Sequence, residues 1–194
     1  MSRYARVEIH PFSSFEVGVA ALRQAAHDVG LAEAVEAIHP AKLFFLAHPE
    51  LREADVEKLS QTLLTDPVVE RVEWAWSENS PRSTTSNIVE VGYHPGVTDR
   101  VAYEVRQAAL RLGLPPLKVA TGYQYRIQGK LSQQELHLLA RQVLCNEVVQ
   151  HYRLGHIAPA FIEDQASDER LRLFRWPIWT ISNCSNSARR GGWL

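Results

Sequence analysis

A chain of 194 residues, 45% hydrophobic and 22% charged, buries a core as one domain or two small ones, and its net charge of −1 excludes the uncompensated Lys and Arg clusters that phosphate backbones require. No apolar run reaches the roughly 20 residues of a membrane helix, and Met1-Ser2-Arg3-Tyr4-Ala5 lacks a secretory signal, so a cytoplasmic protein with neither nucleic-acid nor membrane partners is expected. Two cysteines, Cys145 in a predicted helix and Cys184 in the tail, have neither metal nor redox spacing.

The chain opens with alternating apolar residues, Tyr4-Ala5-Arg6-Val7-Glu8-Ile9, the pattern of a half-buried strand. The period then lengthens: Phe15, Val19, Leu22, Ala26 and Val29 mark one buried helical stripe, closed by Gly30-Leu31. Two short apolar runs, residues 34–38 and 43–46, read as a strand pair. A second helix carries Val56, Leu59 and Leu63, and a strand follows over Val68–Trp76.

After a polar linker at residues 77–86 the order returns. Asn87–Tyr93 predicts a strand, Val97, Val101, Val105, Ala108 and Leu112 a helix closed by Gly113-Leu114, and residues 117–120 and 123–127 a strand pair. Leu136, Leu139 and Val143 lie on a helix opened by Ser132 with Glu135 in capping-box spacing, before a strand at Val148–Leu154.

The second set is a copy of the first. Val7-Glu8-Ile9 with His10-Pro11 returns as Val89-Glu90-Val91 with His94-Pro95, and Leu22-Arg23-Gln24-Ala25-Ala26 returns as Val105-Arg106-Gln107-Ala108-Ala109. Two βαββαβ units are expected, at residues 4–76 and 87–160, in a ferredoxin-like α+β fold. Pairing would cover the sheet face that a unit of this size leaves open, giving a monomer built as a pseudo-dimer.

Reactive constellations are weak. His10, His39, His48 and His94 precede proline without the i, i+4 spacing of a metal pair. Thr98-Asp99 suits a helix cap better than a general base, Cys145 has His137 eight residues back, more than two helical turns away, and Gly96 stands alone where a phosphate loop needs several glycines. Tyr123, Tyr125 and Tyr152 alternate on strands without the basic neighbours of a base-stacking sheet. No catalytic, cofactor-binding or metal-ligating residue is therefore assigned.

In three stretches the second unit resembles the PurS family, the small subunit of bacterial phosphoribosylformylglycinamidine synthase: residues 93–102 with Pro95-Gly96-Val97-Thr98-Asp99, residues 120–125 with Gly122, and residues 144–152 with Leu144-Cys145-Asn146-Glu147-Val148-Val149. The first unit keeps the order but shows His10-Pro11-Phe12-Ser13-Ser14 in place of the Pro-Gly-Val-x-Asp motif. A fused pair is similar to the N-terminal domain of the large single-chain form of that enzyme. The resemblance implies a scaffold in purine biosynthesis that holds synthetase and glutaminase parts together for ammonia transfer. It implies no catalytic residue and no cofactor in this chain, the ATP and Mg belonging to the complete ATP-dependent ligase. The alternative is a small-molecule sensing module, since tandem ferredoxin-like repeats also serve as regulators.

Residues 161–194 read as linker and tail. From Leu173 onward acidic residues vanish, and three of the five tryptophans, Trp176, Trp179 and Trp193, fall there without periodicity. Read one base out of step with G or C preferred at the third codon base, the segment begins Val-Pro-Val-Ala-Asp-Leu and continues with a leucine-striped helical pattern that resembles the connector to the synthetase. The tail is accordingly expected to be disordered or out of frame, the chain being the N-terminal piece of a large synthetase shifted near codon 172.

Overall fold

Alternation in the strands and a longer period between them dictate a sheet with helices packed on it. A computed structural model describes residues 3–12, 18–78 and 87–161, so most of the predicted linker, the residues after 161 and the out-of-frame segment lie outside the described residues. The elements run β1 (Ala5–Pro11), α1 (Val19–Asp28), β2 (Val35–Ala47), α2 (Glu53–Leu59), β3 (Glu70–Trp76), β4 (Ile88–Tyr93), α3 (Arg100–Arg111), β5 (Lys118–Gly129), α4 (Gln133–Leu139) and β6 (Gln150–Leu154). The fold is α+β, with one six-stranded antiparallel sheet in the order β3-β1-β2-β5-β4-β6.

The expected strand pairs are each one long strand. A two-residue hairpin turn needs positive φ, and neither His39-Pro40-Ala41-Lys42 nor Thr121-Gly122 supplies it. β2 and β5 instead pair with each other, from Val35 opposite Gly129 to Ala47 opposite Lys118. Pro40 is tolerated in β2 because β1 pairs only from Lys42 onward, leaving that stretch with a single neighbour. The two expected four-stranded sheets are thus one sheet, in which each half contributes three strands.

The register of one half repeats in the other. Glu8 stands opposite Leu43, as Glu90 stands opposite Gln124. Stepping one residue along makes Lys42 the counterpart of Tyr123, and these two pair with each other at the centre of the sheet.

All four helices lie on one face, and α1 and α3 each share a core with strands of the other half. One core cluster joins Val7, Ile9, Phe44 and Leu46 with Val56 and Leu59 of α2 and with Ala102, Val105 and Ala109 of α3. The other joins Val89, Val91, Ile38 and Ile127 with Ala26 of α1 and Leu136 and Leu139 of α4. Each cluster holds a helix from either half.

Local signals account for most boundaries. Gly30 and Gly113 take φ of 86° and 77°, and the amides of Leu31 and Leu114 return to the carbonyls of Ala26 and Ala109, closing both first helices. Ser132 Oγ accepts from the Glu135 amide at 3.3 Å while the Glu135 carboxylate accepts from the Ser132 amide at 2.7 Å, completing the capping box.

Two stripes run differently from the sequence pattern. Asp99 caps α3 at Arg100, so Val97 falls in the preceding turn, Val101 is half exposed, and Ala102, Val105 and Ala109 form the buried face. α2 and α4 each end in a π-helical turn, Ser60–Leu64 and Ala140–Leu144. Five residues per hydrogen-bonded turn carry burial from Leu59 to Leu64, not to Leu63, and from Leu139 to Leu144.

Because each core contains a helix from the other half, residues 1–78 or 87–161 made separately are expected to show no cooperative unfolding as monomers. Mixing the two fragments is expected to restore one transition, by circular dichroism melting with sedimentation to establish mass.

Candidate functional site

The helix-free face carries the unusual chemistry. Alternation places Arg6, Glu8 and His10 of β1, Glu90 and Gly92 of β4, and Gly122, Gln124 and Arg126 of β5 on this side. A charged residue between apolar neighbours reads as solvent-facing, yet Glu90 is completely buried and Arg6 is 4% exposed.

Such burial requires full pairing. Arg6 grips Glu90 with both terminal nitrogens, Nη1 to Oε2 at 3.1 Å and Nη2 to Oε1 at 2.5 Å. Gln124 Nε2 donates to Oε1 at 3.0 Å, His156 Nδ1 lies 2.7 Å from the same oxygen, and the Ile157 amide donates to Oε2 at 2.8 Å. The set closes into a ring: Arg126 Nε donates to Gln124 Oε1 at 3.1 Å and its Nη2 to Glu8 Oε2 at 3.5 Å, while Arg6 Nε donates to Glu8 Oε1 at 2.8 Å. Two arginines and two glutamates balance.

Burial works to lower the pKa of Arg6, but the Glu90 carboxylate overcomes it and holds the guanidinium above its ordinary value. Burial likewise works to raise Glu8; His10, whose Nε2 lies 3.4 Å from Oε2, and Arg6 reverse the effect and bring this carboxyl down to about 2.

The chain crosses this face after β6. Gly155 turns with φ of 91°, and His156 and Ile157 then reach Glu90. Ile157 enters a notch between Gly92 and Gly122, which are register partners. A Cβ at Gly92 would come within 2.8 Å of Ile157 Cδ1, and one at Gly122 within 2.5 Å of the Val91 carbonyl oxygen. Beneath the crossing, a space of about 10 Å³ lined by His94, Asp99, Thr121 and His151 has room for one water.

The residues weighed from sequence are scattered. Asp99 caps α3, accepting from the Ala102 amide at 2.9 Å, and also accepts from the Thr121 amide at 2.9 Å and hydroxyl at 2.8 Å, which leaves no free base. His10 joins the polar ring, His39 lies within β2 and not at a strand end, His48 accepts from the Glu50 amide, and His94 stacks 5.5 Å from His151. Burial and then His94 lower the His151 pKa. Among the described residues no group of three or more His, Cys, Asp or Glu is placed to hold a metal ion.

Cys145 follows the π turn and is not inside a helix; burial pushes its thiol up, away from nucleophilic use. His137 instead contacts the Tyr152 hydroxyl at 2.9 Å. Tyr123 and Tyr125 stack at 6.3 Å on the helix-bearing face, with Tyr125 packed against the second core. Gly96 sits in a turn with φ of 88°. No helix among the described residues is long and apolar enough to cross a membrane.

Sequence reasoning missed Arg6, Glu8, Glu90, Gln124, Arg126 and His156. For all but His156, which lies on no strand, the signal is charge or amide at outward positions of three strands, which converges only once the register of β1, β4 and β5 is known. No protein-family model matches the chain, and none of the curated proteins matches it.

Removing one partner of a buried pair leaves an uncompensated charge, so Glu90→Gln is expected to cost about 3–5 kcal/mol in urea unfolding. In a double-mutant cycle of Arg6→Met and Glu90→Leu, the double replacement is expected to cost less than the sum of the two single ones, because each single replacement strands one buried charge.

The depressed Glu8 pKa stabilises the fold fully above its unfolded value of 4.5, and that contribution is lost as pH falls from 4.5 through about 2. The native chain is therefore expected to lose up to about 3 kcal/mol more than Glu8→Gln across this window, by denaturant titration at each pH.

Proposed function

We propose that this chain is a non-catalytic PurS-like scaffold of phosphoribosylformylglycinamidine synthase, two ferredoxin-like units fused into a pseudo-dimer. The observation that carries the reading is the repeated register about the Lys42–Tyr123 pair, with cores shared across it. Two copies of a small domain that pair through a long central strand produce this pattern when joined. Each unit counts as ferredoxin-like once the opening stretch of the other half's central strand is included: β3-β1-β2 is completed by the start of β5. The Pro95-Gly96-Val97-Thr98-Asp99 turn, whose aspartate caps α3 and ties it to β5 through Thr121, supplies a physical reason for that motif.

In this reading the chain works in the cytoplasm, bridging a synthetase and a glutaminase so that ammonia passes between them. It is the N-terminal piece of a large synthetase whose frame shifts near codon 172.

Assembly tests it. Mixed with a separately encoded synthetase and glutaminase of this enzyme class, the chain is expected to co-migrate with them and to raise glutamine-dependent, but not ammonia-dependent, turnover of formylglycinamide ribonucleotide. Absence of both effects contradicts the scaffold role. Sequencing the gene past its stop examines the frame separately: a single-base change that opens a long synthetase frame supports the fragment, and a clean stop with no such frame refutes it.

A further inference from the structure

Residues 155–161 form neither strand nor helix, yet this segment supplies two of the five donors on a carboxylate with no solvent exposure. Its seat is selective at two successive positions. The first faces Glu90 Oε1 and needs a donor on the side chain, which His156 Nδ1 provides. The second faces Oε2 and needs a backbone N–H, which excludes proline, together with an aliphatic side chain for the notch where Gly92 and Gly122 carry no Cβ. Below lies an apolar floor of Leu43, Phe45 and Ala120, to which Ile157 belongs and against which Phe161 packs.

The same carboxylate is gripped from the other half of the molecule by Arg6. One acceptor thus serves two partners, each of which meets both of its oxygens. If the segment leaves, Glu90 loses two hydrogen bonds and the notch opens; if Arg6 lets go, the carboxylate is freed to turn from the segment. Two ligands that share one buried group are energetically coupled, and the coupling is reciprocal.

We propose that this face is a peptide-recognition groove, filled in cis by His156-Ile157, whose occupancy is coupled through Glu90 to Arg6 of the other half. Its ligand class is a short extended segment with a donor-bearing side chain followed by a branched aliphatic residue. The inference stands on the groove geometry and is independent of the scaffold reading.

The test uses the full chain with Ile157→Gly, which empties the notch and keeps the amide, and a labelled synthetic peptide of the sequence 155–161. The peptide is expected to bind this variant at least tenfold more tightly than the native chain, where the tethered segment competes, and to slow hydrogen exchange of the β1 amides around Arg6. Adding Gly92→Val, whose side chain takes the space left by the Ile157 side chain, is expected to abolish binding. Equal binding to both chains, no binding to a folded variant, or binding with β1 exchange unchanged would overturn the proposal. Should Ile157→Gly fail to fold, Arg6→Lys asks the reciprocal question: exchange of the Ile157 amide is expected to quicken at least tenfold while that of α2 holds, and an unchanged Ile157 rate refutes the coupling.

Discussion

The pairing of β2 with β5 is the constraint on which the molecule depends. Both strands run straight through stretches where a ferredoxin-like unit would reverse, and each finds its partner in the other half. Straightening carries the preceding helix along: α1, which leads into β2, shares a core with β4 and β5 as well as β2, and α3, which leads into β5, shares one with β1 and β2 as well as β5. The sharing of cores is therefore a consequence of the seam. Neither half can bury its own sheet face with its own helices alone, so the hydrophobic term that stabilises the fold is obtained only after contacts distant in sequence have formed.

A seam of alternating side chains specifies register strongly where one face is buried, because a slip of one residue would turn the apolar set outward. The polar ring makes the same demand on the opposite face. Arg6 and Glu90 come from different halves and are both buried, so any register that separates them leaves two desolvated charges unpaired. An apolar residue at 90 would leave Gln124, His156 and the Ile157 amide without their acceptor, so the charged pair both satisfies these donors and penalises wrong alignments. Glu8 and Glu90 occupy equivalent strand positions and have different fates: Glu8 keeps contact with solvent and faces His10 as well as the two arginines, whereas Glu90 is enclosed by the segment crossing it.

The repeat, the two helices and the first and last strands of each half and the α+β class were legible because they rest on short-range pattern. Ser132 with Glu135, Gly30 and Gly113 acted as the caps their positions suggest. The strand pairs misled because apolar content was read without asking whether residues 39–42 could turn. Register lay beyond the sequence pattern, and with it the convergence of Arg6, Glu90 and Gln124 from strands 84 and 34 residues apart. The π turns were hidden for a related reason: a single added residue per turn shifts burial from Leu63 to Leu64 in a segment where both are apolar. Gly155 and His156 carry no local signal at all, since their role depends on where the chain crosses the sheet.

Native-state hydrogen exchange on the full chain addresses the shared sheet most directly, because amides are protected by the unit whose opening exposes them. If the two halves form one cooperative structure closed at the β2–β5 seam, the amides of β2 and β5 exchange with the slowest class and share one opening free energy with β1 and β4. Two independent protection classes, one per half, with the seam amides exchanging faster than either, would contradict a shared sheet and return the molecule to two separate domains.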